Sequence, residues 1–502
     1  MTTVVRSRTA PAPTRHVYDV AVIGSHLGGA ITGALLQRRG LHVLYIEHDG
    51  TGQGYAHNGY LLPYAPFVLP PLKACPSLEE ALTELGLNTA YTRAAHLPHP
   101  MLQLALPDTR FDLTMDPKQR AKETARALGA ERSAAFTRAW DDAAARLERT
   151  EPFFKEKPEL PPDGMIATWQ FKRVVGRFPA ISEQLDVPKD SAAGLLSALA
   201  DFTVNVAERH ELASTRPISM LLQGMHTWPG GRDGLRELIL NRLSELGGDV
   251  LAHDASTVVE EIAFDGSKVA GVKLVKSDTI YKTNVIVGAS DAAALRRLVP
   301  DKKKHRELAE LLDGPAAKRV LFAVNWVVPE SALPRGMGEL VLLQPKDATL
   351  SPILVQVSNT RKAPGEAPGA EDERTVCAGL FVDANLREQG EDQLQELADR
   401  VTAELDLLMP FTRAKAKLVS APYLHASGVR GSRLMPHPLL KLEDPALLGI
   451  TGLPLKAPVK HMFLTSREVL PGLGLEGEMI AALRAAKQIQ ETLKKSNPLA
   501  KQ

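Results

Sequence analysis

Cysteine is nearly missing from this chain: Cys75 and Cys377 are the only two among 502 residues. Two distant thiols exclude a disulfide framework, and without CxxC spacing they exclude the common zinc and redox motifs. A reducing compartment is expected, with the cytoplasm as default. Charge of one sign is not in excess either. Sixty Lys and Arg stand against 59 Asp and Glu, a formal charge of +1 with no basic stripe, which argues against nucleic acid as a partner. No apolar run approaches the roughly 20 residues of a membrane span. The opening "MTTVVRSRTAPAPTRH" lacks the apolar stretch of a secretory signal, so residues 1–16 are expected to be a disordered leader. HExxH, GxxxxGK[ST] and GxSxG are absent. "HLPHP" at 96–100 pairs two histidines, but its prolines make a turn and no third ligand accompanies them, so no metal set is assigned. Aromatic residues make up only 5%, little material for an aromatic cage around a substrate.

What the chain does have is α/β grammar at both ends. "VYDVAVIG", residues 17–24, is a short apolar run closed by glycine, the pattern of a strand buried on both faces of a parallel sheet. A helix follows in "GGAITGALLQRRG", with Gly29 and Gly33 four apart on the face that would pack on that strand and Gly40 as its C-terminal cap. "LHVLYIE" is a second buried strand, ending at Glu47, and completes a βαβ unit. From 75 to 225 helical segments alternate with proline-rich pieces. "WPGGRDGLRELILNRLSELGGDV" then restores the first grammar, with a turn at Pro229, Gly230 and Gly231 and Asp233 as the expected helix cap. "STVVEEIAFDGSKVAGVKLV" reads as a hairpin turning at Asp265 and Gly266. Further strands in 319–383 and an amphipathic helix over about 388–408 suit a second sheet. The Pro/Gly-rich "KAPGEAPGAEDE" marks an exposed, mobile loop.

In a dinucleotide motif the first glycine makes a tight turn, the second lets backbone meet the pyrophosphate and the third permits close helix packing. Those positions are Gly24, His26 and Gly29 here, with Gly28 beside them at the helix start. Glu47, twenty-three positions after Gly24, sits where an acidic residue holds the ribose. Near the carboxy terminus Gly472, Gly474 and Gly477 open a helix whose free N–H groups and positive dipole end suit a reduced planar anion.

These pieces resemble the phytoene desaturase and carotenoid isomerase branch of the FAD-dependent amine oxidase superfamily. The likeness runs through "LYIEHD", "WPGGRDGLRELILNRLSELGGDV", "VAGVKLV" and, most specifically, "VLPGLGLEGEMIAALRAA". It implies an α/β fold: a Rossmann-like FAD-binding domain, a parallel sheet with an antiparallel ribbon, assembled from residues 17–74, 225–318 and 440–495. An inserted α+β substrate domain would occupy 75–224 and 319–439. It implies an FAD-dependent oxidoreductase that desaturates, saturates or isomerises a lipophilic isoprenoid or polyene. FAD contacts are expected at Gly24, His26, Gly28, Gly29, Glu47, Arg467, Gly472, Gly474 and Gly477. No catalytic residue is assigned, and Glu476 and Glu478 are the ionisable groups to test. The proline-broken "GYLLPYAPFVLPPL" could line a lipophilic tunnel, touch a membrane surface peripherally, or be packed core.

Three departures from the family pattern stand out. His26 replaces a glycine. No Arg or Lys follows Glu47 before Lys73, where the family carries a basic residue. Ser466 and Arg467 stand where a Gly-Asp pair is usual, with Glu468 one position displaced. Arg467 could restore the missing cation. Alternatively the chain is a flavin-free descendant of the fold that binds a lipid or a protein. Amine oxidation is a third reading, disfavoured by the low aromatic content.

Overall fold

The computed structural model describes residues 15–493 except 49–53, 184–191, 210, 254–256, 276–279, 301–302, 364, 367–371, 426–434, 436 and 443–446. Residues 1–14 of the expected leader, and half of the loop expected to be mobile, therefore lie outside the described residues.

Two sheets organise the chain. In the first, strands β1 (Val17–Ile23), β2 (Val43–Ile46), β3 (Ile280–Gly288) and β4 (Met462–Leu464) run parallel, in the order β2-β1-β3 with β4 on the far side of β3. Asp249–Leu251 extends the β2 edge in parallel, and the hairpin Val259–Asp265 with Lys268–Leu274 adds the antiparallel ribbon beyond β3. β2 is buried throughout, and its sequence accordingly reads as an uninterrupted apolar run. Helix α1 (Leu27–Arg38) packs on β1 at close range. A Cβ on Gly29 would stand 2.2 Å from the Cβ of Ala289, so only glycine permits this approach.

The insert between β2 and β3 contains helices α2 (Ala130–Lys155), α3 (Gly164–Val175), α4 (Glu211–Leu221) and α5 (Gly231–Glu245). α5 is capped by Gly230 in the left-handed conformation. Asp233, expected to be the cap, lies instead inside the first turn. The region from 75 to 225 is not wholly helical. Leu102–Ala105 and Arg110–Leu113 form a hairpin that joins the second sheet alongside Leu340–Leu343. The helix Pro76–Leu85 contributes Leu78, Ala81, Leu82 and Leu85 to the core of the first sheet, so that core takes in residues beyond position 74.

The second sheet is eight-stranded and mainly antiparallel, built around Ala316–Pro329 and Glu373–Asp383. Its alternation is strict. Leu321 and Ala323 enter the core that faces the insert helices, whereas Val320, Phe322 and Val324 enter the core covered by the helix Glu391–Leu408. The last helix, α6 (Gly474–Thr492), returns to the first sheet and starts beside the N-terminus of α1. Among the described residues no helix is long and apolar enough to cross a membrane.

Candidate functional site

A cavity of about 100 Å³ lies between the two sheets, at the junction of α1, α4, α5 and α6. Tyr64, Phe67, Phe202, Met220 and Leu221 form its apolar wall, and His26, Arg232, Arg467 and Glu478 its polar end. Most of the segment from Pro63 to Pro70 lines this cavity, and Tyr64, Val68 and Leu69 within it are buried.

The polar end gathers charge from four places in the sequence. Glu478, on the second turn of α6, accepts a hydrogen bond from the backbone N–H of Gly28 at 3.2 Å, in the first turn of α1. Its other carboxylate oxygen pairs with Arg232 of α5. Burial pushes the Glu478 carboxyl up, but the positive charge of Arg232, then of His26 and Arg467, outweighs that and holds it below the usual range. The N–H groups and positive dipole end that open a helix are where this class of fold seats a pyrophosphate. Here an internal carboxylate is seated there.

His26 ends the β1–α1 turn as the N-cap of α1, with its side chain inward. Its Nδ1 accepts the Arg467 backbone N–H at 3.3 Å, and its Nε2 lies 2.9 Å from the Arg467 guanidinium and 3.3 Å from the Asp291 carboxylate. Burial raises Asp291, yet Arg467 and His26 together hold it well below the ordinary carboxylate range. Glu468, displaced by one residue, accepts from the Ala292 N–H at 2.6 Å. Its carboxyl is pushed up to about 8 by burial and then by the charge of Asp291.

Glu47 stands at the end of β2, where a ribose-binding acid is expected. One oxygen pairs with Arg236 of α5 at 3.1 Å and the other accepts the His253 N–H at 3.2 Å. Three cations from elsewhere in the chain gather around this end of the fold, Arg232 and Arg236 of α5 on Glu478 and Glu47, and Arg467 behind β4 on His26 and Asp291. Arg467 was legible in the sequence by its position, where a Gly-Asp pair is usual. Arg232 and Arg236, in the quoted "WPGGRDGLREL", were not, because nothing local ties them to Glu47 or Glu478.

The glycines of the last motif meet protein backbone. A Cβ on Gly474 (φ +54°) would stand 1.7 Å from the Thr203 carbonyl oxygen, so the Thr203 backbone lies where close approach to a ring was expected. Gly472 and Gly477 are pressed in the same way against the carbonyls of Gly449 and Leu470, and Gly24 and Gly28 against those of Ala289 and Thr465. Glu476 does not face the cavity. Its carboxylate takes a bidentate ion pair from Arg216 of α4, at 2.6 Å on each oxygen.

These residues do not fit FAD as arranged. The anion seat holds Glu478, the Gly474 approach is taken by Thr203, and the cavity falls below the roughly 300–1,000 Å³ of ordinary ligand pockets.

His437 borders the same cavity, half-buried, with Nε2 2.7 Å from the Val204 carbonyl oxygen. Burial first, and then the charge of Arg467, push its pKa down to about 3. The unfolded chain therefore binds this proton first. Stability from this group is present above about pH 6.5 and is lost, at about 1.4 kcal/mol per pH unit, as pH falls towards the folded value. Glu468 works in the opposite direction between its unfolded value and about 8. The expected result is thus a difference: denaturation midpoints at pH 7.5 and 5.5 should fall further for the wild type than for His437→Gln.

No family model matches the chain, and no curated protein matches it. Solved structures do. An oxidoreductase from Methanosarcina mazei is 13% identical with a TM-score of 0.56, over 93% of this chain and all of that one. Cyclohexylamine oxidase from Brevibacterium oxydans IH-35A is 16% identical with a TM-score of 0.53, over 95% of this chain and 99% of that one. Putrescine oxidase bound to putrescine is 14% identical with a TM-score of 0.55, over 95% and 99%. The chain has the α/β fold of these oxidoreductases, which agrees with the Rossmann-like domain and added second domain read from the sequence. At such identities the likeness is one of fold.

Proposed function

We propose that the chain is a ligand-binding protein built on this oxidoreductase fold, a descendant in which Glu478 has taken the place of a dinucleotide pyrophosphate. One observation carries the reading: Glu478 accepts the Gly28 N–H while paired to Arg232. A carboxylate and a pyrophosphate cannot share one helix N-terminus, because like charges a few ångströms apart repel strongly in a buried site. What remains is a cavity with an apolar wall and a polar end, suited to one end of a lipophilic small molecule. It is smaller than the roughly 150 Å³ that holds benzene in an engineered core, so a whole polyene would extend through its mouth.

A second reading is an FAD-dependent oxidoreductase of the phytoene desaturase type, acting on an isoprenoid or polyene. The left-handed turns at Gly24 and Gly474 and the position of Glu47 at the end of β2 favour it, as does the fold. It requires Glu478 and Arg232 to leave the N-terminus of α1.

The visible absorption spectrum of the purified, untagged protein separates the two, repeated after FAD addition and gel filtration. The first reading expects a colourless protein that retains no FAD but binds a fluorescent polyene saturably. Stoichiometric flavin bands would establish the second reading in its place.

A further inference from the structure

Helix α3 turns three large apolar side chains to solvent: Met165 is 90% exposed, Ile166 76% and Trp169 63%. At 3.6 residues per turn Met165, Trp169 and Arg173 lie along one side, flanked by Ile166 and Lys172. The opposite side carries Ala167 and Phe171, both buried, and Phe171 meets Phe153 of α2 edge-on at 6.1 Å. The helix is therefore anchored to the protein by one stripe while a second apolar stripe faces outward. Single exposed apolar residues are ordinary, but three within two turns of one helix are not.

The rim of this stripe is basic. Lys172 and Arg173 are exposed, and neither has an ion-pair partner among the described residues; Arg173 lies over the Trp169 ring at 5.9 Å. Among the described residues of the flanking segments, the acidic side chains are already paired. Asp163 pairs with Lys456 at 3.0 Å, Glu159 with Arg484 at 2.6 Å, Glu183 with Arg149 at 3.3 Å, and Glu156 with Arg177.

We propose that this face of α3 docks on an anionic lipid bilayer, with Met165, Ile166 and Trp169 entering the headgroup and acyl boundary and Lys172 and Arg173 meeting lipid phosphates. An apolar stripe with an uncompensated basic edge and an interfacial tryptophan is the composition such a surface selects. A second copy of the chain fits the patch poorly. Stable interfaces need about 800 Å² per partner, beyond what three side chains supply, and a two-fold contact would set Lys172 and Arg173 against their own equivalents.

The test uses the full chain with vesicles of phosphatidylcholine alone and of phosphatidylcholine mixed with phosphatidylglycerol. Trp169 is the one tryptophan of the four exposed by more than 5%, so emission reports on this patch. The expected result is co-sedimentation with the mixed vesicles, with a blue shift of emission that salt weakens. Met165→Asp with Ile166→Asp should reduce partition by at least about tenfold at an unchanged melting temperature, since both sites are exposed. Lys172→Glu with Arg173→Glu should abolish the preference for anionic vesicles. The proposal is overturned if neither vesicle binds, if the Asp pair binds as well as the wild type, or if sedimentation shows a dimer that the Asp pair disperses.

Discussion

Arg216→Ala is expected to cost about 3–5 kcal/mol, the usual loss on breaking a buried pair, and so a large part of the roughly 5–15 kcal/mol that holds a native protein folded. Arg216 is fully buried. It donates to both oxygens of Glu476 at 2.6 Å, to the Thr150 hydroxyl at 3.0 Å and to Glu151 at 3.3 Å, and its guanidinium lies 3.6 Å from the centre of the Phe154 ring. One side chain thereby ties α4 to α2 and α6. Burial works against its charge, but the carboxylates prevail and raise its pKa. Removing it leaves Glu476 charged and alone in the core. Arg216→Lys should fail almost as badly, because an ammonium cannot make the planar two-pronged contact. Arg216→Met with Glu476→Leu should recover most of the loss, since an apolar pair of similar volume removes both charges at once. Urea midpoints of the three proteins check this. A mild Arg216→Ala would mean that water reaches Glu476.

How much of this was legible in the sequence depended on whether the determinant was local. β1, α1 and β2 could be read because a doubly covered strand must be apolar throughout, and because Gly29 must be small where α1 meets the strand. The turn at Asp265 and Gly266 could be read for an equally local reason, and the hairpin forms there. The strands Leu102–Ala105 and Arg110–Leu113 could not. They are four residues each, lie among prolines, and are fixed by Leu340–Leu343 far along the chain. The same limit divided Glu476 from Glu478. Two residues apart on a helix point to different sides, so only one could face the cavity, and the partners that decide it, Arg216 and Arg232, come from elsewhere. The outward stripe of α3 was hidden too, because nothing in the sequence separates Met165, Ile166 and Trp169, which are exposed, from apolar residues that are buried. His26, noticed as a misfit, could not reveal that Asp291 stands beside it or that Arg467 meets its ring.

The same reasoning makes Glu478 the residue whose loss should create an activity. In Glu478→Ala the Gly28 N–H and the Arg232 guanidinium lose their anion while His26 and Arg467 remain in place. The N-terminus of α1 then presents donors and positive charge to solvent-borne anions. A buried like charge about 4 Å from a phosphate opposes binding by roughly 4 kcal/mol at an effective dielectric near 20. Its removal should therefore raise affinity for inorganic pyrophosphate or FAD by at least on the order of a hundredfold over the wild type at low salt, measured by titration calorimetry. Glu478→Gln separates charge from volume. If repulsion is the barrier, Gln should recover much of the gain, and if the side chain merely fills the seat, only Ala should. FAD should gain less than pyrophosphate in either variant, because its ring end still meets the Thr203 carbonyl at Gly474. Equal, weak binding of pyrophosphate by all three proteins would place the obstacle outside Glu478 and remove the basis for reading it as the built-in replacement of a cofactor phosphate.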